Sequence, residues 1–376
     1  MLEFSEKISI SAVFIFGISL ITTIFLIPAI NQIGQKYDLI DKPNKRKVHK
    51  ENIVRIGGLG ILIGFLLGST VLITMNNYFQ ITEINYKLFI LLIIGSTGFF
   101  IIGLFDDIYN YSPFKRLILQ IILSSILFGS GLKIDAIDIS WINSELDFII
   151  LNNLFSYFFI IFWIVGITNA FNWLDGLDGL AAGLSTLIII NFCFFYISTQ
   201  SWDILLLSLS LCGAIVGFLR YNIYPAKILM GDGGSYLLGS NIAIASIYKL
   251  TTKKEFFESI NNQVIQNLDI FLINIALLIM LIPIADMTFV ILNRVKKRKS
   301  PFYPDKSHFH HKLLKLGLHP RRVVIIIYSL QITLSCIAIL IYPLKGKVFY
   351  LCLATTFILL AILYLYNIKK HVEPKY

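Results

Sequence analysis

Asp106 and Asp107 stand side by side where the apolar stretch "IIGLF" ends. Adjacent carboxylates repel unless a cation or a proton is shared between them. A second acidic group lies in "NAFNWLDGLDGLAAG" (169–183), where Asn169 and Asn172, Asn172 and Asp175, and Asp175 and Asp178 are each three apart. On a helix such pairs share a face, while Gly176 and Gly179 equally permit an irregular backbone that lets a ligand approach closely. A helix cap explains one of these four residues, not all of them. Asp232 sits in "MGDGGS", a glycine-rich turn running into an apolar segment, the arrangement that offers free backbone N–H groups to phosphate. By itself this string reads equally well as an ordinary turn, but Asn222, Pro225 and Lys227 extend its polar patch. His308, His310 and His311 form "HFHH", three of the six histidines within four positions, flanked by Lys306 and Lys312. No cysteine or spaced histidine completes a tetrahedral zinc set. Histidines that bind phosphate or a sugar hydroxyl fit this basic loop better. Together these residue types describe a site for a divalent metal and a diphosphate. Mg²⁺ takes oxygen ligands, commonly one or two carboxylates with substrate phosphates and water, and basic side chains stabilise phosphate oxygens during phosphoryl transfer.

The elements that must position these groups are membrane spans. The 376 residues are 56% hydrophobic and 14% aromatic, with a mean hydropathy of +0.77, well outside the soluble globular range. Apolar runs long enough to cross a bilayer as helix, roughly 20 residues each, fall at 8–30, 56–76, 86–105, 114–132, 148–170, 178–198, 203–221, 235–249, 268–292, 323–343 and 347–367. The run 235–249 is short, and 114–132 opens on Lys115 and Arg116. The runs are continuously apolar and do not alternate with period two, so helices are expected rather than a barrel. The first run is too long, and preceded by too little positive charge, for a cleaved signal peptide. The expectation is an all-α integral membrane protein of about eleven transmembrane helices, one domain over 1–376. With the N-terminus outside and the C-terminus cytoplasmic, 24 of the 32 Lys and Arg residues face the cytoplasm, as the positive-inside rule requires. Every polar motif above then lies on that same basic side, which places the active site at the cytoplasmic face. Cys193, Cys212, Cys336 and Cys352 all fall within predicted spans without CxxC spacing and read as small apolar fillers.

Five motifs, "RKVHKENIVRIGGLGI", "DDIYNYSPFKRLILQ", "NAFNWLDGLDGLAAG", "YNIYPAKILMGDGGSYLLG" and "PDKSHFHHKLLKLG", occur in this order between about residues 36 and 322. In that order they resemble the bacterial polyprenyl-phosphate N-acetylhexosamine-1-phosphate transferases. The resemblance implies that Asp106 and Asp107 form the acidic pair at the reaction centre, and that Asp232 helps to hold Mg²⁺, for which Mn²⁺ is a substitute. It implies Asn172, Asp175 and Asp178 on the nucleotide-sugar side, Asn222 supporting the metal site, and His308, His310 and His311 on phosphate or sugar. It further implies substrate contacts from Lys47, His49 and Arg55 and a basic position at Arg116, for which Lys115 is an alternative. "RIGGLGI" and the interruption of the histidines by Phe309 resemble the GlcNAc-1-phosphate branch rather than the muramoyl-pentapeptide branch. One departure is "PIADMTF", where Met287 follows Asp286 in place of the family's usual Thr; this puts a role for Asp286 in question.

The implied reaction is attack by an oxygen of undecaprenyl phosphate on the β-phosphorus of a UDP-N-acetylhexosamine, with release of UMP. In this reading Asp106 deprotonates or positions the lipid phosphate, and Asp107 and Asp232 hold the metal; a covalent aspartyl intermediate remains an open alternative. The implied partners are the polyprenyl lipid, the UDP-sugar and the bacterial cytoplasmic membrane, with no nucleic acid; monomer or homodimer is open. Two rivals come from other classes. A transporter or flippase would carry ionisable residues at mid-span, where Asp286 is the main instance. A CDP-alcohol phosphatidyltransferase would follow its DG with Ala-Arg and two further spaced Asp, whereas here Ala181 precedes Ala182 and no Asp recurs before Asp203.

Overall fold

The computed structural model describes residues 2–42, 51–134, 136–138, 148–251, 272–303 and 305–341. Twelve helices are present among them: α1 Leu2–Lys36, α2 Gly58–Phe79, α3 Tyr86–Tyr109, α4 Pro113–Gly129, α5 Asn153–Leu174, α6 Leu180–Ser198, α7 Trp202–Asn222, α8 Gly231–Thr251, α9 Leu272–Ile279, α10 Leu281–Lys296, α11 Phe309–Lys315 and α12 Pro320–Ile341. Two small antiparallel ribbons accompany them, β1 Ile40–Asp41 with β2 Ile53–Val54, and β3 Ala136–Asp138 with β4 Phe148–Ile150.

Seven of these helices are long and apolar enough to cross a membrane, or eight if the bent pair α9–α10 makes one span. Of the eleven runs expected, ten coincide with helices, and 347–367 lies outside the described residues. The helix α4, with 17 residues, is shorter than any of the seven, and α8 is polar along much of its length. Burial explains that polarity. The helix α8 packs against α2, α3, α5, α6 and α9, and Ser235, Ser240, Asn241 and Ser246 on it are all buried. A helix surrounded by protein need not match lipid, because its polar groups find partners inside: Asn241 donates to Ser96 at 3.2 Å, and Ser246 accepts from Trp163 at 3.1 Å. The outermost helices show the reverse, with Val13 and Phe25 of α1 three-quarters exposed.

The helix ends follow local sequence. Asn85, Ser112 and Asn152 cap α3, α4 and α5 by accepting the N–H three residues on, and Pro113 occupies the first turn of α4. Between α9 and α10 the chain bends by 72°. Pro283 has no N–H to give the Ile279 carbonyl four residues earlier; Gln331 of α12 donates to that carbonyl instead, at 2.9 Å.

Close approach of α3 to α8 then brings the acidic motifs together. A side chain at Gly103 would lie 2.6 Å from the Gly233 backbone nitrogen, so only glycine there lets the end of α3 lie against the start of α8. The ribbon strand β2 runs on beside the segment before α8, with Leu229 donating to the Val54 carbonyl at 2.8 Å and Gly57 to the Leu229 carbonyl at 2.9 Å. Arg55 is thereby fixed beside the same helix ends.

Candidate active site

A cavity of about 510 Å³ opens where α3, α4, α5, α8, α10 and α11 end, lined by Asp107, Arg116, Asn172, Asp175, Asp232 and His310, among others. Arg55, Asp178, Asn222, His308 and His311 also line it. Of the residues implied by the motifs, Lys47 and His49 lie outside the described residues.

Asp107 is a cap in trans. Its Oδ1 accepts the N–H of Asp232 and its Oδ2 that of Gly233, both at 3.0 Å, so it satisfies two of the orphan donors that open α8 and complements the positive end of that helix. Arg55 lies 3.5 Å from the same carboxylate and donates to the Asp107 backbone carbonyl. Asp107, expected on the metal, thus has both oxygens committed to backbone N–H groups. Asp106 points elsewhere: its Oδ2 lies 2.6 Å from Nη1 of Arg116, and that same nitrogen lies 3.0 Å from Oδ2 of Asp232. The other oxygen of Asp232 accepts from Asn172 at 3.0 Å, and the Asn172 amide also donates to Ser235.

The "DGLDG" loop divides its two carboxylates between two tasks. Asp178 accepts the Ala226 N–H at 2.9 Å, Gly179 donates to the Asn222 side chain at 3.0 Å, and Tyr328 of α12 donates to the Gly179 carbonyl at 2.5 Å. The remaining Asn222 amide donates to the Ile228 carbonyl at 2.9 Å. Asp178 and Asn222 therefore brace two loops together, and the carboxamide of Asn222 is spent on backbone rather than on the acidic group. The Asp175 carboxylate takes no hydrogen bond among the described residues and faces the cavity. Burial, with the charges of Asp232 and Asp178, pushes it up to about 8.

The histidines are held from α10. His308 Nδ1 lies 2.7 Å from Asp286 Oδ2, and the Phe309 N–H donates to Asp286 Oδ1 at 2.6 Å. Asp286 orients this loop despite the Met287 that follows it. His310 is fully buried, with neither ring nitrogen hydrogen-bonded, and lies against Gly176, where a side chain would come within 2.8 Å of its Cε1. Burial, and then the neighbouring His311, push His310 down to about 3, and burial with His308 pushes His311 down to about 4. Near neutral pH both rings are uncharged, so they would meet a ligand as neutral donors or acceptors and not as cations.

The motifs left out one part of the wall. Arg294 of α10 pairs with Asp305 at 2.9 Å, donates to the Pro301 carbonyl and lies 5.0 Å from the Trp173 ring centroid. Trp173 in turn meets His308 and Phe302 edge-on. Arg294 is only 4% exposed, and nothing in the sequence separates this buried arginine from the exposed cations that follow it in "RVKKRK".

The donor chemistry fits a divalent cation. Among the described residues no group of three or more His, Cys, Asp or Glu side chains is spaced as a ligand set. Mg²⁺, however, needs only one or two carboxylates when substrate phosphates and water complete its shell. Asp106 and Asp232 already share one cation, the Arg116 guanidinium.

Fold and site define a polytopic helical membrane protein with an acidic and basic chamber at its helix ends. Comparison with known proteins places it more closely. Residues 89–249 match the profile of glycosyl transferase family 4. A probable undecaprenyl-phosphate N-acetylglucosaminyl 1-phosphate transferase of Bacillus subtilis is 34% identical over 345 residues, covering 92% of this chain and 88% of that protein. A decaprenyl-phosphate N-acetylglucosaminephosphotransferase of Mycobacterium tuberculosis is 31% identical, covering 82% and 77%. An undecaprenyl-phosphate alpha-N-acetylglucosaminyl 1-phosphate transferase of Escherichia coli is 26% identical, covering 86% and 82%. The chain belongs to glycosyl transferase family 4, in agreement with the resemblance carried by its five motifs.

Proposed function

We propose that this protein transfers N-acetylglucosamine 1-phosphate from UDP-N-acetylglucosamine to undecaprenyl phosphate, releasing UMP. The observation that carries this reading is the joining of Asp107, Asp232, Arg55, Arg116 and three histidines in one cavity at the ends of apolar helices, with buried Asp106 paired to Arg116 in its wall. A lipid phosphate reaches such a place from the bilayer and a nucleotide-sugar from water. The names of the relatives supply the sugar and the lipid class.

An oxygen of the lipid phosphate attacks the β-phosphorus of the donor. A new P–O–P bond forms, the bond from the β-phosphorus to the oxygen bridging the α-phosphate breaks, and the electron pair leaves with UMP. A phosphate monoester, with its second pKa near ~6, is mostly dianionic at neutral pH, so no general base is required and the Asp106 carboxylate is left to the metal. Asp106 and Asp232 would hold Mg²⁺, which when bound neutralises charge building on the phosphate oxygens. Arg55, held on Asp107, adds fixed positive charge and Arg116 a second cation, and Asp107 keeps the amide-lined start of α8 aimed into the cavity. His308, oriented by Asp286, donates to phosphate or to a sugar hydroxyl, and Asp175 meets the nucleotide-sugar.

We place the chamber on the cytoplasmic side of a bacterial inner membrane, with the N-terminus outside and up to eleven spans, on the strength of the basic bias of that side. The test uses membranes holding the protein, UDP-[³H]GlcNAc, undecaprenyl phosphate and Mg²⁺. Labelled lipid diphosphate and an equal amount of UMP are expected, both lost with EDTA. Failure to label lipid from any of a panel of UDP-N-acetylhexosamines overturns the reading.

A further inference from the structure

Arg116 stands where a metal ion is wanted. Its Nη1 is within 3.0 Å of one oxygen from Asp106 and one from Asp232, whereas both oxygens of neighbouring Asp107 are committed to the α8 amides. It projects from the first turn of α4, which is joined to α3 by a three-residue link and capped by Ser112. The guanidinium side chain is about a quarter exposed and lines the cavity. A divalent ion binding those same oxygens at about 2.1 Å would meet a guanidinium already seated on them, and two cations on one oxygen pair repel.

We propose that Arg116 is an exchangeable internal cation. With no metal bound it neutralises Asp106 and Asp232. When a divalent ion takes those carboxylates, Arg116 gives them up and turns to the phosphates of the nucleotide-sugar, which its planar fork of N–H donors suits. The exchange couples the two ligands: Arg116 opposes metal binding in the ligand-free chamber and favours it once a diphosphate is present to receive the guanidinium. This rests on the reading above that the chamber takes a divalent ion and a nucleotide diphosphate.

Mn²⁺ binding to the purified full chain in detergent, followed by the loss of the free-ion electron paramagnetic resonance signal, tests it without any turnover. Arg116→Gln is expected to bind Mn²⁺ about tenfold tighter than the unaltered chain when no nucleotide is present, the scale of one lost competing charge-assisted contact. Adding UDP-GlcNAc is expected to tighten Mn²⁺ binding in the unaltered chain and to change it little in Arg116→Gln. In EDTA the variant should melt lower than the unaltered chain, and saturating Mn²⁺ should close the gap. Equal or weaker Mn²⁺ binding by a variant that melts normally in Mn²⁺ overturns the proposal. Should Arg116→Gln not fold, Arg116→Lys keeps the charge but not the fork; it is expected to weaken the UDP-GlcNAc effect, and an unchanged effect overturns the proposal. If the unaltered chain binds no Mn²⁺ with or without UDP-GlcNAc, it is the underlying reading that fails.

Discussion

The charged residues of the chamber differ in how far their roles can be read from sequence. Carboxylates among apolar spans are expensive to place, so Asp106, Asp107, Asp175 and Asp232 announce a site by type alone. What each one touches is fixed by residues far along the chain. Asp107 serves amides 125 and 126 positions later, and Asp178 serves an amide 48 positions later, contacts no local spacing encodes. The charge state of His310 belongs to the same class, because its burial comes from the fold. With a folded value of about 3 against an ordinary 6.5, the neutral ring favours folding. The sign follows by linkage: this contribution is full above about pH 6.5 and is lost as pH falls toward 3. The groups facing it are Asp286 from α10, which opposes the shift, and His308 and His311, which reinforce it. His310→Phe keeps a ring in the space and removes the titration. In detergent, the melting temperature of the unaltered chain should fall more steeply between pH 6.5 and 4 than that of His310→Phe; parallel curves would show that the buried imidazole contributes nothing to acid sensitivity.

At the scale of elements, the helices were legible wherever hydropathy is high and continuous, and less so where a helix is sheltered from lipid. The helix α8 reads as a short span because Ser235, Ser240, Asn241 and Ser246 lower its hydropathy, yet these residues mark it as the buried centre. The run 268–292 reads as one span, but the structure bends it by 72° between α9 and α10. The cause was present as Pro283; its consequence depends on Gln331, 52 residues beyond Ile279. That bend sets the direction of α10 and hence of Asp286 and Arg294, which hold the histidine loop and the Trp173 wall. Gln331→Leu leaves the Ile279 carbonyl buried without its donor and should destabilise the chain by about 1–3 kcal/mol, measured by thermal or denaturant unfolding in detergent. Adding Pro283→Ala restores an N–H four residues after Ile279 and should recover part of that loss. A double variant no more stable than Gln331→Leu alone would mean that the orphan carbonyl is not what Gln331 serves.

Across the whole molecule, the motifs recur at one end of the bundle because each apolar span carries the chain from one end to the other. The helix α2 leaves the site at Gly58 and runs 22 residues, about 33 Å at 1.5 Å per residue, before the turn at 80–85 sends α3 back to Asp106. The same alternation returns α5 to Asn172 and α7 to Asn222, so every motif shares one end while Glu83 lies at the other. That is why the one-sidedness of the motifs was readable before any contact was known: in a membrane bundle, parity of the spans converts sequence order into side. The proposed direction of the whole rests on charge: with the N-terminus outside, the sequence assigns 24 of its 32 basic residues to the cytoplasmic side. In a chain whose four cysteines are replaced by alanine, Glu83→Cys and Lys306→Cys place single thiols at exposed positions on opposite ends. A thiol reagent that cannot cross the membrane, applied to cells with a permeabilised outer layer, should label position 83 at once and position 306 only after the membrane is opened. The reverse pattern would put the chamber outside, away from cytosolic nucleotide-sugars, and the proposed reaction would lose its donor.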